Sequence, residues 1–101
     1  MNPRFSDEFA EAVLGVVEGI PAGSVMSYGD VAAAIGSRAP RAVGAVMAAG
    51  GSDAPWWRVV RADGRPAQGL EAEALRRLRA EGAPLSPSGE RVAMRLARHR
   101  P

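Results

Sequence analysis

The sequence predicts a mostly α-helical domain with a small β-hairpin. Three observations predict it: apolar residues recurring at helical spacing from Phe5 to Ile20, two short helical segments separated by the stretch from Gly36 to Pro40, and an Asp-Gly turn in Ala62-Asp63-Gly64-Arg65 behind a β-branched run. At 101 residues, 47% apolar and 24% charged, the chain has the length and composition of one soluble globular unit with a single modest core. It shows no internal repeat and no linker long enough to divide it, so residues 1–101 are expected to form one domain.

Each element follows from local chemistry. Ser6 ahead of Asp7 and Glu8 is a helix start, with a capping hydroxyl and acids where they complement the dipole. Phe5, Phe9, Val13, Val16, Val17 and Ile20 form the apolar stripe of that helix, which ends near Glu18-Gly19 before the turn Pro21-Ala22-Gly23. Ser27-Tyr28-Gly29-Asp30 fits a capping box with Asp in place of the usual Glu, opening a short helix that Gly36 stops. Pro40 suits the first turn of a third helix running to Ala49, with Gly50-Gly51 as its stop. Two short helices joined by a tight turn read as a helix-turn-helix. The third is slim, because Ala42, Gly44, Ala45, Ala48 and Ala49 are all small, which suits close packing on a neighbour or close approach to a groove.

Trp57, Val59, Val60 and Arg61 read as a strand, and Pro66 cuts the return strand short. Leu70 to Gly82 is a helix with acids early and arginines late, which can serve simply the dipole and solubility. After the turn at Ser86-Pro87-Ser88-Gly89, residues 90–101 are expected as a helix or an extended, flexible tail.

Composition excludes several classes of function. No apolar run approaches the roughly 18 residues of a membrane span, and the first residues lack the apolar stretch of a signal peptide, so the expected location is the cytoplasm, at the nucleoid in a bacterial host. With no cysteine and the single His99, the chain has neither a thiol nucleophile nor the ligands for a zinc site, and no cofactor is expected. All thirteen basic residues are arginine. Residues 1–53 carry three arginines against six acids, and residues 54–101 carry ten against five, which makes the second half the expected anion-facing side. Planar guanidinium groups suit phosphate, although an arginine-rich helix is also explained by solvation alone.

Pro55-Trp56-Trp57-Arg58-Val59-Val60 places two adjacent indoles beside a cation. On a strand they face opposite sides, so one is expected in the core and the other against a ligand.

Three stretches read in order resemble the C-terminal domain of the O6-alkylguanine-DNA alkyltransferase family: Ile20-Pro21-Ala22-Gly23-Ser24-Val25-Met26-Ser27-Tyr28-Gly29-Asp30-Val31-Ala32, then Arg41-Ala42-Val43-Gly44-Ala45-Val46-Met47, then Pro55-Trp56-Trp57-Arg58-Val59-Val60 with Gly64 behind it. The resemblance covers roughly residues 5–82 and implies a winged-helix-like helix-turn-helix DNA-binding domain. In that family the third stretch reads Pro-Cys-His-Arg, and its cysteine accepts the alkyl group. Here Trp56 takes the cysteine position and Trp57 the histidine position. An indole is no nucleophile for this transfer, so the resemblance is to the alkyltransferase-like branch, which binds the lesion and leaves its removal to nucleotide excision repair.

The resemblance also implies roles for single residues. Arg41 matches the finger that fills the space of a flipped nucleotide, and Tyr28 the tyrosine that crowds the target 3′ phosphate and promotes its rotation. Ala42, Gly44 and Ala45 would let the third helix enter the minor groove. Trp56, Trp57, Tyr28 and Gly69 are the implied lesion pocket, and Arg58 joins the implied DNA-binding residues, though a structural role suits it better. Two positions depart from the pattern. The hinge asparagine falls at Gly50, and the loop Pro66-Ala67-Gln68-Gly69 lacks the tyrosine that abuts the base, which implies a wider and less polar pocket. The implied partner is double-stranded DNA containing O6-alkylguanine, bound by a monomer, with excision-repair proteins downstream. Two other readings remain open: a small helix-turn-helix transcriptional regulator whose tryptophans are core, and an enzyme using Asp63, Glu71 or His99, for which the spacing suggests no acid/base pair.

Overall fold

The computed structural model describes residues 6–101, so Phe5 lies outside the described residues. Helix α1 spans Asp7–Glu18, and the Ser6 hydroxyl accepts a hydrogen bond from the Phe9 amide at 3.1 Å. The chain turns at Gly23, whose φ of 88° only glycine adopts readily, and enters the two-residue strand β1, Met26–Ser27. The capping box is complete at the start of α2, Tyr28–Ala34: the Asp30 amide donates to Ser27 Oγ and the Ser27 amide to Asp30 Oδ2, both at 3.0 Å. At its end the Ser37 amide reaches the Ala32 carbonyl at 2.8 Å and the Gly36 amide the Ala33 carbonyl at 3.0 Å, closing a Schellman motif around Gly36. Pro40 then opens α3, Pro40–Gly50. Val13, Val17, Val31, Val43 and Val46 from these three helices are buried together, and each fully buried valine or leucine side chain stabilises the fold by about 1.5–3 kcal/mol.

The sheet differs from the expected hairpin. Strand β2, Val59–Val60, pairs in parallel with β1, Met26 opposite Val59 and Ser27 opposite Val60. The Asp63-Gly64 turn does form, closed by the Arg61 amide on the Arg65 carbonyl at 2.8 Å. Beyond it Pro66 has no amide to donate, and the chain leaves the sheet. The two short strands divide the interior. Met26 and Val59 belong to the helical core, whereas Val25 and Val60 face a second core with Leu78, Ala83, Val92 and Ala97.

Helix α4, Glu71–Ala80, lays Ala74 and Leu78 on that second core. The last residues are both extended and helical. Val92 pairs with Leu85, α5 covers Met94–Ala97, and Arg98 bridges back beside Val25. The His99 amide donates to the Val25 carbonyl at 2.8 Å, and Arg98 Nε lies 3.1 Å from Asp30 Oδ2. With Val92 and Ala97 buried, this segment completes the second core and is not the loose tail that composition suggested.

Candidate nucleic-acid interface

The two tryptophans sit on a single turn of 3-10 helix, Trp56–Arg58, and not on the strand predicted for Trp57. Pro55 precedes the turn, the Arg58 amide donates to the Pro55 carbonyl at 3.0 Å, and extended backbone begins only at Val59. The indoles therefore meet edge to face, with centroids 5.9 Å apart and planes at 89°. Their surroundings differ. Trp57 packs against the second core and donates from Nε1 to Glu81 Oε1 at 2.6 Å, while Trp56 turns to a surface cleft.

Glu81 fixes this turn. Besides Trp57 it receives the Gly23 amide on Oε2 at 3.0 Å and the Arg58 guanidinium, with Nε at 3.1 Å from Oε2 and the second terminal nitrogen at 2.8 Å from Oε1. Burial alone would raise its pKa, but the hydrogen bonds from Arg58, Trp57 and Gly23 outweigh that and hold the carboxyl below the usual glutamate range. Arg58 also donates to the Ile20 carbonyl at 2.9 Å, and its side chain is only 17% exposed. All three guanidinium nitrogens are engaged within the protein, so Arg58 belongs to the frame of the turn and not to the DNA-binding surface. Sequence reasoning missed Glu81. Its signal was an acid at the C-terminal end of a helix, against the dipole, which calls for a compensating cation from elsewhere.

The cleft beside Trp56 measures about 460 Å³, within the range of small-ligand sites. Its walls are residues 47–50 at the end of α3, Gly51 and Ser52, and Ala67, Gln68 and Leu70 of the loop before α4. Main-chain bonds hold the turns that follow Gly50: the Ala54 amide on the Gly51 carbonyl at 3.0 Å and the Trp56 amide on the Ala54 carbonyl at 2.7 Å. A Cβ on Gly51 would stand 2.9 Å from Met47 Cε, so glycine there lets the wall close against the helix. Of the four residues implied for the pocket, only Trp56 lines it. Gly69 is an exposed turn residue with φ of 87°, between two lining neighbours. Its amide donates to Glu71 Oε1 at 2.8 Å. Of the lining residues, Ser52 and Leu70 carried no motif signal, because the walls meet only in the fold.

Tyr28 stands outside the cleft, at the first position of α2, half-buried against the helical core. A Cβ on Gly44 would lie 3.9 Å from its ring, an ordinary van der Waals contact, which places the tyrosine between α2 and α3. Burial raises the Tyr28 pKa, partly opposed by the charge of Arg61, and the phenol stays neutral and able to donate at physiological pH. Arg61 also donates to the Pro66 carbonyl at 3.0 Å and pins the loop that rims the cleft. On α3, Val43 and Val46 are buried and Met47 packs against them, which leaves Arg41, Gly44, Ala45 and Ala48 on the other side of the helix. Arg41 is exposed, and among the described residues it pairs with no carboxylate.

The sequence profile of the 6-O-methylguanine DNA methyltransferase DNA-binding domain matches residues 8–83, three quarters of the chain. The chain belongs to this family. A DNA base-flipping protein of Escherichia coli (strain K12) and one of Shigella flexneri are each 43% identical to it, over 83% of this chain and 69% of their own length. The crystal structure of S. pombe Atl1 in complex with damaged DNA containing O6-carboxymethylguanine superimposes with a TM-score of 0.82, at 28% identity, over 96% of this chain and 99% of that one. A second structure, S. pombe ATL in complex with DNA, superimposes at 0.81 with the same identity and coverage. The fold is thus that of an alkyltransferase-like DNA-binding domain. The family's matched span takes in α1 to α4 and stops at Ala83, so α5 and the strand segments around it are built outside it.

Proposed function

We propose that this protein binds duplex DNA through α3, rotates a nucleotide out of the helix into the cleft beside Trp56, and recognises O6-alkylated guanine there without transferring the alkyl group. The observation that carries this reading is the cleft itself. Where the methyltransferases of the family carry an acceptor cysteine, this chain presents the Trp56 indole, and the walls hold no thiol and no histidine. The single histidine, His99, is tied to Val25 beside β1. What remains is a stacking surface with Gln68 and Ser52 as polar contacts, chemistry that holds a base and does not alter it. The likeness to a DNA base-flipping protein and to structures bound to damaged DNA supports the same reading.

Arg41 projects from the start of α3, beside the small residues that let the helix approach a groove, and supplies the group that occupies the vacated stack. Flipping costs a few kcal/mol of unstacking and unpairing, and a guanidinium bonded to the orphaned base offsets part of it. A protein that holds a lesion it cannot remove leaves the removal to others, and nucleotide excision repair is the partner system this reading proposes. The deciding experiment compares affinity for a duplex carrying one O6-methylguanine with that for its unmodified twin. Tighter binding to the lesion duplex is expected, and equal affinity overturns the reading.

A further inference from the structure

Arg77, on the last turn of α4, is placed to do more than complement the helix dipole. Its guanidinium carbon lies 4.6 Å from the centroid of the Trp57 ring and 5.8 Å from that of Trp56, so one cation spans both indoles. Its Nε donates to Glu73 Oε2 at 2.7 Å, one turn back along the helix. Hydrogen bonds from Arg76, and then from Arg77, bring the Glu73 pKa down to about 2, so the carboxylate stays ionised across any pH at which DNA binding is measured. An exposed pair four residues apart contributes little to stability. Its effect is geometric, since it limits where the guanidinium can go.

The two indoles differ in what else holds them. Trp57 is anchored by its bond to Glu81 and by the second core. Trp56 has no such anchor, and among the described residues its Nε1–H meets no acceptor. Its ring stands perpendicular to that of Trp57 and within reach of the Arg77 cation. We propose that Arg77 is a positioning residue that holds Trp56 in the orientation that receives the base, by lying across both indoles. This rests on the reading of the cleft as the lesion pocket. An indole free to turn would have to be ordered each time a base enters, and a cation already lying against both perpendicular rings lowers that cost.

The test uses the full chain with Arg77→Leu, which keeps an apolar stem on the helix but loses both the charge and the contact with the rings, and Arg77→Lys, which keeps charge but loses the plane. The chain has only two tryptophans, so its near-ultraviolet circular dichroism reports this pair directly. Arg77→Leu is expected to lose most of the indole band and to lower the ratio of affinities for O6-methylguanine over guanine duplex by about threefold to tenfold, the size of a partly desolvated cation–π contact. Affinity for unmodified duplex is expected to stay within about twofold, since Arg77 lies away from α3. Arg77→Lys is expected to fall between. An unchanged indole band in Arg77→Leu overturns the proposal, as does a wild-type affinity ratio. Should Arg77→Leu melt far below the wild type, Glu73→Gln frees the same guanidinium from a solvent-exposed site, and an unchanged band and ratio there overturns it equally. A wild-type protein with no lesion preference would refute the function of the cleft, while the dichroism still decides the role of Arg77.

Discussion

Trp56 is the residue on which the proposed lesion recognition turns, and its contacts define what it can contribute. It lines a cleft of about 460 Å³, and among the described residues its indole makes no hydrogen bond, so its contribution to a bound base is area and stacking. Base–aromatic stacking is worth about 1–3 kcal/mol per base by alanine substitution, so Trp56→Ala should lower the preference for O6-methylguanine over guanine by about tenfold in competition binding. Unchanged preference would make Trp56 only a wall. Arg41 gives a cleaner separation of function from stability, because it is exposed and unpaired within the described residues. Arg41→Ala should abolish the 2-aminopurine fluorescence rise at the target position while changing stability by less than about 0.5 kcal/mol, and a wild-type rise would remove the finger role. Glu81 is the opposite case, 15% exposed and bonded to three partners. Because its carboxyl titrates below its unfolded value, the stability it contributes is present above the usual glutamate range and is lost as pH falls through the lowered value. Glu81→Gln should therefore cost about 2–3 kcal/mol at neutral pH in a denaturant melt, and the gap to wild type should close in acid. A constant gap would deny the carboxylate its role.

The elements show which parts of the architecture sequence can convey. The capping box at Ser27 and Asp30, the stop at Gly36 and the Pro40 start of α3 are each set by residues within four positions of one another, and all three appear in the structure as the sequence predicts. The sheet depended on distance. Val59 and Val60 have strand chemistry, but their partner is Met26–Ser27, more than thirty residues away, and nothing local announces a parallel pairing that short. The Asp63-Gly64 signal was genuine as a turn and misleading as a hairpin, since the residue that needs Gly64 is Val92. A Cβ on Gly64 would collide with the Val92 carbonyl, and the Val92 amide donates to the Gly64 carbonyl at 2.9 Å. Gly64 also holds φ of 88°. Gly64→Ala should thus destabilise by about 2 kcal/mol or more through strain and the displaced contact, read as a lower melting temperature; a wild-type melt would mean that the last strand segment yields without cost. The cleft escaped the sequence for the same reason as the sheet: α3, the Trp turn and the loop before α4 meet only once both cores are formed.

At the scale of the molecule, the division of charge between the halves of the sequence does not map onto a division of surfaces. α3, the helix proposed to meet DNA, lies in the acidic half. Six arginines, Arg58, Arg61, Arg65, Arg76, Arg77 and Arg98, are paired with carboxylates of their own chain. Among the described residues this leaves Arg38, Arg41, Arg79, Arg91, Arg95 and Arg100 without an acidic partner. Counting arginines in the sequence overstates the capacity for phosphate, because a guanidinium already paired must give up one anion to take another. Counterion release makes the logarithm of the binding constant fall with the logarithm of salt at about 0.9 per neutralised phosphate, so these six arginines of the described residues contribute a slope of at most about −5. These six run along the sequence from Arg38, ahead of α3, to Arg100, so the slope expected is between zero and that value and clearly non-zero. Titrations of unmodified duplex at several salt concentrations measure it. A flat profile would remove the phosphate backbone as a partner, and a slope well beyond −5 would mean that cations besides these six take part in binding.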